Sequence, residues 1–268
     1  MKSSPNVPFL QASVSSAASD SPEPESVHPD IGLVSSPWDI YTVFICLLMG
    51  YILVPLLFSN IVLLINPFLA DTTHLFLQQA VTLITWASIF LFLQVRYGRL
   101  GDYLGLRPVQ WKNSAQRNHL CWETLRLIML TSLITLGVGL FWAWIGHQFP
   151  QWRLGEDPYA DYGRSELLVL SFFAVFIAPL QEEIIFRGLV QSTFRKNVGP
   201  VKAILLTALI FMLLHGSYLN NIRALTHVVT LGLCFGIWKE RTGSLMPGML
   251  AHWVNNGLAT FMVFNGIH

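Results

Sequence analysis

From residue 39 onward, long apolar runs alternate with short polar interruptions, and the runs have membrane length. They fall at 39–66, 74–95, 120–146, 166–190, 202–219, 224–238 and 245–264. A helix needs about 20 largely apolar residues to cross a bilayer core. The pattern therefore predicts an all-α fold, a polytopic transmembrane helix bundle of about seven spans. The first run is long and contains Pro55. That predicts a kinked helix, or a helix followed by a re-entrant piece. The sixth run is short. Residues 1–36 are of another kind, rich in Ser and Pro with almost no aliphatic pattern, and predict a disordered tail. The tail lacks a basic stretch feeding an apolar core, so it does not read as a secretory signal. Its acids, Asp20, Glu23, Glu25 and Asp30, argue against an organelle transit peptide. Three regions follow: the tail at 1–36, the first spans with a basic loop at 37–159, and a C-terminal transmembrane domain at 160–268.

Composition agrees with this division. The 268 residues are 53% hydrophobic and 12% charged, against about 25% charged in a soluble domain. The net charge of +1 gives no electrostatic case for nucleic acid. The expected partners are the lipid bilayer and a membrane protein or peptide. Charges in the loops set an expected orientation. The 96–119 loop holds Arg96, Arg99, Arg107, Lys112 and Arg117. The 191–202 loop holds Arg195, Lys196 and Lys202, and the 239–244 loop holds Lys239 and Arg241. The intervening loops are poorer in basic residues or acidic. Basic loops favour the cytoplasmic side, so the N-terminus is expected inside and the C-terminus outside. Cys46, Cys121 and Cys234 lack CxxC spacing and read as small membrane-embedded hydrophobes. No span reads as dominated by GxxxG, and no internal repeat stands out.

Chemistry concentrates near the C-terminus. Glu182, Glu183, Arg187, His215, His252 and Asn256 all lie within apolar runs, where a central charge costs roughly 2.5–3.5 kcal/mol by insertion scales. In the fourth run Pro179 removes a backbone donor and should kink or loosen the helix. Arg187 follows Glu183 by four residues, so the two can pair on one helix face. Glu182 projects about 100° away and is left for other work. Two carboxylates sharing one arginine predict a pair with separated pKa values, suited to acid–base chemistry. Phe211 and His215 share a face of the fifth run, and His252 and Asn256 share a face of the seventh, with Asn255 rotated away. A single His on an apolar face usually belongs to the core, and a His/Asn pair can be packing glue. Together, a carboxylate, two histidines and an amide are the parts needed to hydrolyse an amide with an activated water. Glu182, His215 and His252 also approximate a catalytic zinc set with an open position. The spacing leaves a divalent metal such as zinc and a metal-free route equally open. His227 reads as an interfacial structural residue, His147 as solvated, and Glu123 with Arg126 as an interfacial ion pair.

These residues carry a resemblance. QEEIIFRG fits an EExxxR pattern, FMLLH fits FxxxH and HWVNN fits HxxxN. In this order on successive membrane helices they resemble the CPBP family of intramembrane proteases, which includes CAAX prenyl endopeptidases and the bacterial Abi or bacteriocin-processing proteins. The resemblance covers about residues 160–265. It implies that Glu182 is the main base on water, with His215 sharing that activation. It implies that His252 and Asn256 stabilise the oxyanion, and that Glu183 and Arg187 orient and balance the site. The expected function is an intramembrane endopeptidase acting on membrane-associated proteins or peptides, lipidated ones included, by direct water attack. In a host without protein prenylation, maturation or turnover of peptides and membrane proteins is the expected reaction. The alternatives are a non-catalytic membrane scaffold or bacteriocin-immunity-type protein, and a proton-coupled transporter, for which no inverted repeat speaks.

Overall fold

A computed structural model of the chain describes residues 36–69, 71–98, 100–104, 106, 114–152, 154–155 and 159–265, with the side chains of 114–120 and Ser217 left aside. The Ser/Pro-rich stretch before Ser36 lies outside them, as do Arg99, Arg107, Trp111 and Lys112 of the basic loop. Among the described residues the fold is all helical. The helices are α1 (Ile40–Ile65), α2 (Asp71–Tyr97), the short α3 (Leu100–Leu104), α4 (Ser114–Gln148), α5 (Arg164–Val198), α6 (Pro200–Leu213), α7 (Ile222–Thr242) and α8 (Met246–Phe264).

The seven long helices fall where the apolar runs predict them. Four of them, within α1, α2, α4 and α5, are long and apolar enough to cross a membrane. The last three differ for physical reasons. The 14 residues of α6 span only about 21 Å at 1.5 Å per residue, short of the roughly 30 Å of a hydrocarbon core. Helix α7 carries charge at both ends, and α8 carries the polar His252, Asn255 and Asn256. Large apolar side chains face outward elsewhere, with Phe68, Leu64 and Val95 about four-fifths exposed or more. Such a surface suits lipid rather than water. Together these are the helices of an integral membrane protein.

Local signals start and stop the helices as the side chains dictate. At the head of α1 the Asp39 Oδ1 accepts the Thr42 N–H at 2.8 Å, a cap that satisfies an orphan donor and holds this carboxyl below the usual carboxylate range. Asn221 caps α7 through Ala224 N–H at 3.0 Å. Pro55 does not break α1 into a re-entrant piece. The helix runs on, with a π-helical stretch at Leu48–Leu53 just before it. Helix α5 is loosened twice, by π-helical stretches at Phe173–Ile177 and Glu183–Gln191 on either side of the segment holding Pro179. Pro179 thus loosens its helix as expected, through i→i+5 bonding.

The main core joins the N-terminal helices to the second π-helical stretch of α5. Trp38, Trp86, Leu93 and Leu104 bury themselves against Ile185, Phe186, Leu189 and Val190. A second cluster joins α4 to α7 and α8 through Leu127, Leu231, Phe235, Trp238 and Ala251, with the Trp238 indole N–H donating to Thr131 Oγ1 at 2.8 Å. Helices α6 and α7 pack directly against each other. No span is dominated by GxxxG, yet one such pair makes a close contact here. Gly232 and Gly236 sit four apart on α7; a Cβ on Gly232 would lie 3.2 Å from the Ala208 backbone, and one on Gly236 would lie 3.1 Å from Ile204. Small residues at this spacing let two helix backbones touch.

Candidate active site

The site assembles where α5 loosens against α6, α7 and α8. Glu183 and Arg187 begin and centre the second π-helical stretch and face each other, with Nη1 3.2 Å from Oε1 and both side chains buried. This is the pairing that their spacing predicts. The guanidinium is fixed on three further sides. Its Nη2 donates to the Gly232 carbonyl at 3.2 Å, and its Cζ lies 4.7 Å from the Phe211 ring centroid and 5.2 Å from that of Phe235. Two aromatic faces thus clamp a buried cation.

His252 enters from α8 and lies against both carboxylates. Its Nδ1 is 3.4 Å from Glu183 Oε1, and its Nε2 is 3.7 Å from Glu182 Oε2. The ring stacks on Phe235 at 4.9 Å. Glu182 is the most accessible of the group, 17% exposed, while Glu183 and Arg187 are sealed. Glu183 Oε1 and Oε2, Arg187 Nε and Nη1, and His252 Nδ1 are enclosed yet make no well-aligned hydrogen bond. Buried polar atoms seldom cluster in this way in a packed structure.

His215 stands just past the end of α6. Its Nδ1 lies 2.7 Å from the Phe211 carbonyl. A carbonyl only accepts, so Nδ1 donates here and Nε2 is the ring nitrogen left for another partner. The ring meets Phe211 edge-on at 4.5 Å and stacks with Tyr218 at 5.9 Å. Among the described residues no hydrogen bond or ion pair joins His215 to Glu182. Asn256 spends one amide N–H on the Ala174 carbonyl at 2.8 Å, tying α8 to the first π-helical stretch of α5. Asn255 is turned away from it, as expected, and its Oδ1 lies 3.3 Å from His227 Nε2. His227 thus has Asn255 as a polar partner. Glu123 and Arg126 pair at 3.5 Å on an exposed face, as the spacing suggests.

For a metal, the chemistry of Glu182, His215 and His252 is suitable but their placement is not. Among the described residues, no three His, Cys, Asp or Glu side chains are arranged to hold a metal ion. The sequence names Phe211 only as the face-mate of His215 and gives no sign of Phe235, yet both are aromatic plates of the site. Phe211 alone touches Phe186, His215, His252 and Arg187. Its place in FxxxH carries that signal, whereas Phe235 has none beyond its four-residue distance from Leu231. Lys239 is a correction. Assigned to a cytoplasmic loop, it lies within α7 and is buried, with its ammonium bonded to the Arg187 carbonyl and the Ser192 hydroxyl.

Comparison with known proteins places this part of the chain. Residues 164–258 match the family described as type II CAAX prenyl endopeptidase Rce1-like, consistent with a CPBP-family intramembrane protease. The match holds every candidate site residue and leaves α1 to α4 outside it. An uncharacterized 24.3 kDa protein of Escherichia coli is 32% identical over 88 residues, which are 32% of this chain and 40% of that protein. The chain thus spans two fifths of that relative's length. No solved structure matches.

Proposed function

We propose that the protein is a CAAX-type intramembrane endopeptidase that uses a carboxylate-activated water on membrane-associated proteins or peptides, lipidated ones included. One observation carries the reading: two carboxylates flank a single buried imidazole, and only one of the two, Glu182, is open to its surroundings while the other is tied to Arg187. Glu182 takes a proton from water as the water oxygen attacks the scissile carbonyl carbon. The carbonyl π electrons move to oxygen, and the resulting oxyanion is met by N–H groups of His252 and Asn256. His215 contributes its free Nε2 as a second acceptor for the attacking water. When the tetrahedral species collapses, the C–N bond breaks and the proton held by Glu182 passes to the departing amine. Glu183 and Arg187 keep His252 in place. The basic loops support a cytoplasmic N-terminus.

The test is cleavage of a quenched prenylated CAAX peptide and of a membrane-peptide library by the purified full chain. Wild type runs beside Glu182→Gln, each with chelator and with divalent metal restored. Activity present in the wild type and absent from a folded Glu182→Gln supports the reading, and chelator loss reversed by zinc adds a metal to it. A wild type that cleaves neither substrate set turns the assignment toward a membrane scaffold.

A further inference from the structure

The buried ammonium of Lys239 has no part in the proposed chemistry, yet it sits behind it. Lys239 is 2% exposed. It lies seven residues beyond Gly232, about two helical turns along the same face of α7. That face supplies the Gly232 carbonyl to the Arg187 side chain, and Lys239 closes on the backbone of the same residue. Its Nζ donates to the Arg187 carbonyl and to Ser192 Oγ, and Ser192 Oγ donates to the same carbonyl at 3.3 Å. Among the described residues no carboxylate makes an ion pair with it. Its neighbour Glu240 turns instead to Arg195 at 2.7 Å and to Gln191 at 3.0 Å. Glu183 and Arg187 on α5, Arg195 on the same helix and Glu240 on α7 are the charges around it.

A buried ammonium held by a carbonyl and a hydroxyl is an expensive arrangement unless its position serves something. The carbonyl it holds belongs to the π-helical stretch that carries Glu183 and Arg187. Such a stretch has weaker reason to keep its register than an α-helix, because i→i+5 turns are rare and occur mostly as local bulges. The first π-helical stretch is secured in the same way, by Asn256 on the Ala174 carbonyl. In both places a polar side chain from a neighbouring helix grips a carbonyl of loosened backbone.

We infer that Lys239 is a positioning residue: its ammonium clamps the Arg187 carbonyl, fixes the register of the Glu183–Gln191 stretch, and so sets where the Glu182, Glu183 and His252 cluster stands. The kinetic arm of its test rests on the endopeptidase reading, and the second arm does not.

The experiment compares wild type, Lys239→Met and Lys239→Arg as purified full-length protein in lipid nanodiscs. Met keeps the apolar stem and removes the charged donor, whereas Arg keeps a cationic donor. Backbone hydrogen exchange over 183–192 should be faster in Lys239→Met and restored toward wild type in Lys239→Arg. On whichever peptide the wild type cleaves, kcat of Lys239→Met should fall, by roughly 100-fold if the cluster shifts by about 1 Å, with KM little changed and kcat partly recovered in Lys239→Arg. Unaltered exchange in Lys239→Met overturns the inference, whatever the kinetics. Equal damage in Met and Arg variants overturns it too, because the cationic donor is then not what counts. A wild type without activity defeats the endopeptidase reading alone, and the exchange arm then decides whether Lys239 holds the segment.

Discussion

Replacing Glu183 by Gln keeps the side-chain shape and removes the charge that faces Arg187. The two ions are 3.2 Å apart with 0% and 1% of their side chains exposed. At an effective dielectric constant of about 20, Coulomb's law gives an attraction of about 5 kcal/mol. The guanidinium left behind keeps one carbonyl, at Gly232, and two aromatic faces, which do not replace a counter-ion. Breaking a buried pair on one side typically costs about 3–5 kcal/mol, and that is the expected loss. Glu182→Gln changes the same chemistry one residue earlier, on a partly exposed side chain whose nearest ionic contact is His252 at 3.7 Å. It should cost less than about 1 kcal/mol while removing activity. Reversible unfolding of both variants in mixed micelles, followed by tryptophan fluorescence, separates them. A third protein, Glu183→Gln with Arg187→Met, removes the orphaned charge and should recover much of the loss. The reasoning is refuted if Glu183→Gln unfolds within about 1 kcal/mol of wild type, or if the double variant is no better than the single one.

Gly248→Ala places a methyl 2.9 Å from Glu183 Oε2 and 3.8 Å from Phe235 Cβ; since Arg187 holds that carboxylate, the substitution should lower kcat by about tenfold or more, while the folded protein, scored by fluorescence melting, persists. Gly50→Ala would bring a methyl to 2.5 Å from the Trp86 ring, so overpacking should cost about 1–3 kcal/mol in the same unfolding assay, and because Trp86 packs on Tyr51 and Tyr51 on Phe186, kcat per folded molecule should fall with it. Asp39 has its carboxyl held low by the Thr42 N–H, so its cap contributes above the ordinary carboxylate pKa and is lost as pH falls through the lowered value. The difference in melting temperature between wild type and Asp39→Ala should therefore shrink on acidification, and a difference that is flat with pH would contradict the cap.

Much of the site was legible because helix geometry reduces to spacing. Glu183 and Arg187 are four apart and pair, Glu182 points elsewhere, and Asn255 and Asn256 face different partners. What spacing could not convey is what happens when the helix is not α. The two π-helical stretches of α5 leave no sequence mark beyond Pro179, and they decide which carbonyls Asn256 and Lys239 can reach. Lys239 was misread for a related reason. A lysine at the end of an apolar run is ordinarily a loop charge, and only the continuation of α7 to Thr242, packed on Ser192, reverses that. Likewise Gly232 and Gly236 were visible as letters, yet their worth depends on Ala208 and Ile204 standing opposite. The short α6 had no warning in its hydropathy, since its apolar run carries on through His215 after the helix has ended.

The doubly loosened α5 also bears on how this protein can change over generations. Each i→i+5 turn houses a residue that a regular helix of the same path would not need. Removing one residue from the Glu183–Gln191 stretch would let the backbone settle into ordinary α turns along the same path, whereas removing one from a regular α-helical part of the chain would swing everything beyond it by about 100°. What the first deletion would lose is the wide turn itself, and with it the Arg187 carbonyl position that Lys239 grips. Point substitutions along this helix leave its turns intact, whereas a single-codon deletion would erase a wide turn, so insertions and deletions should be purged from this segment more strictly than exchanges of one apolar side chain for another.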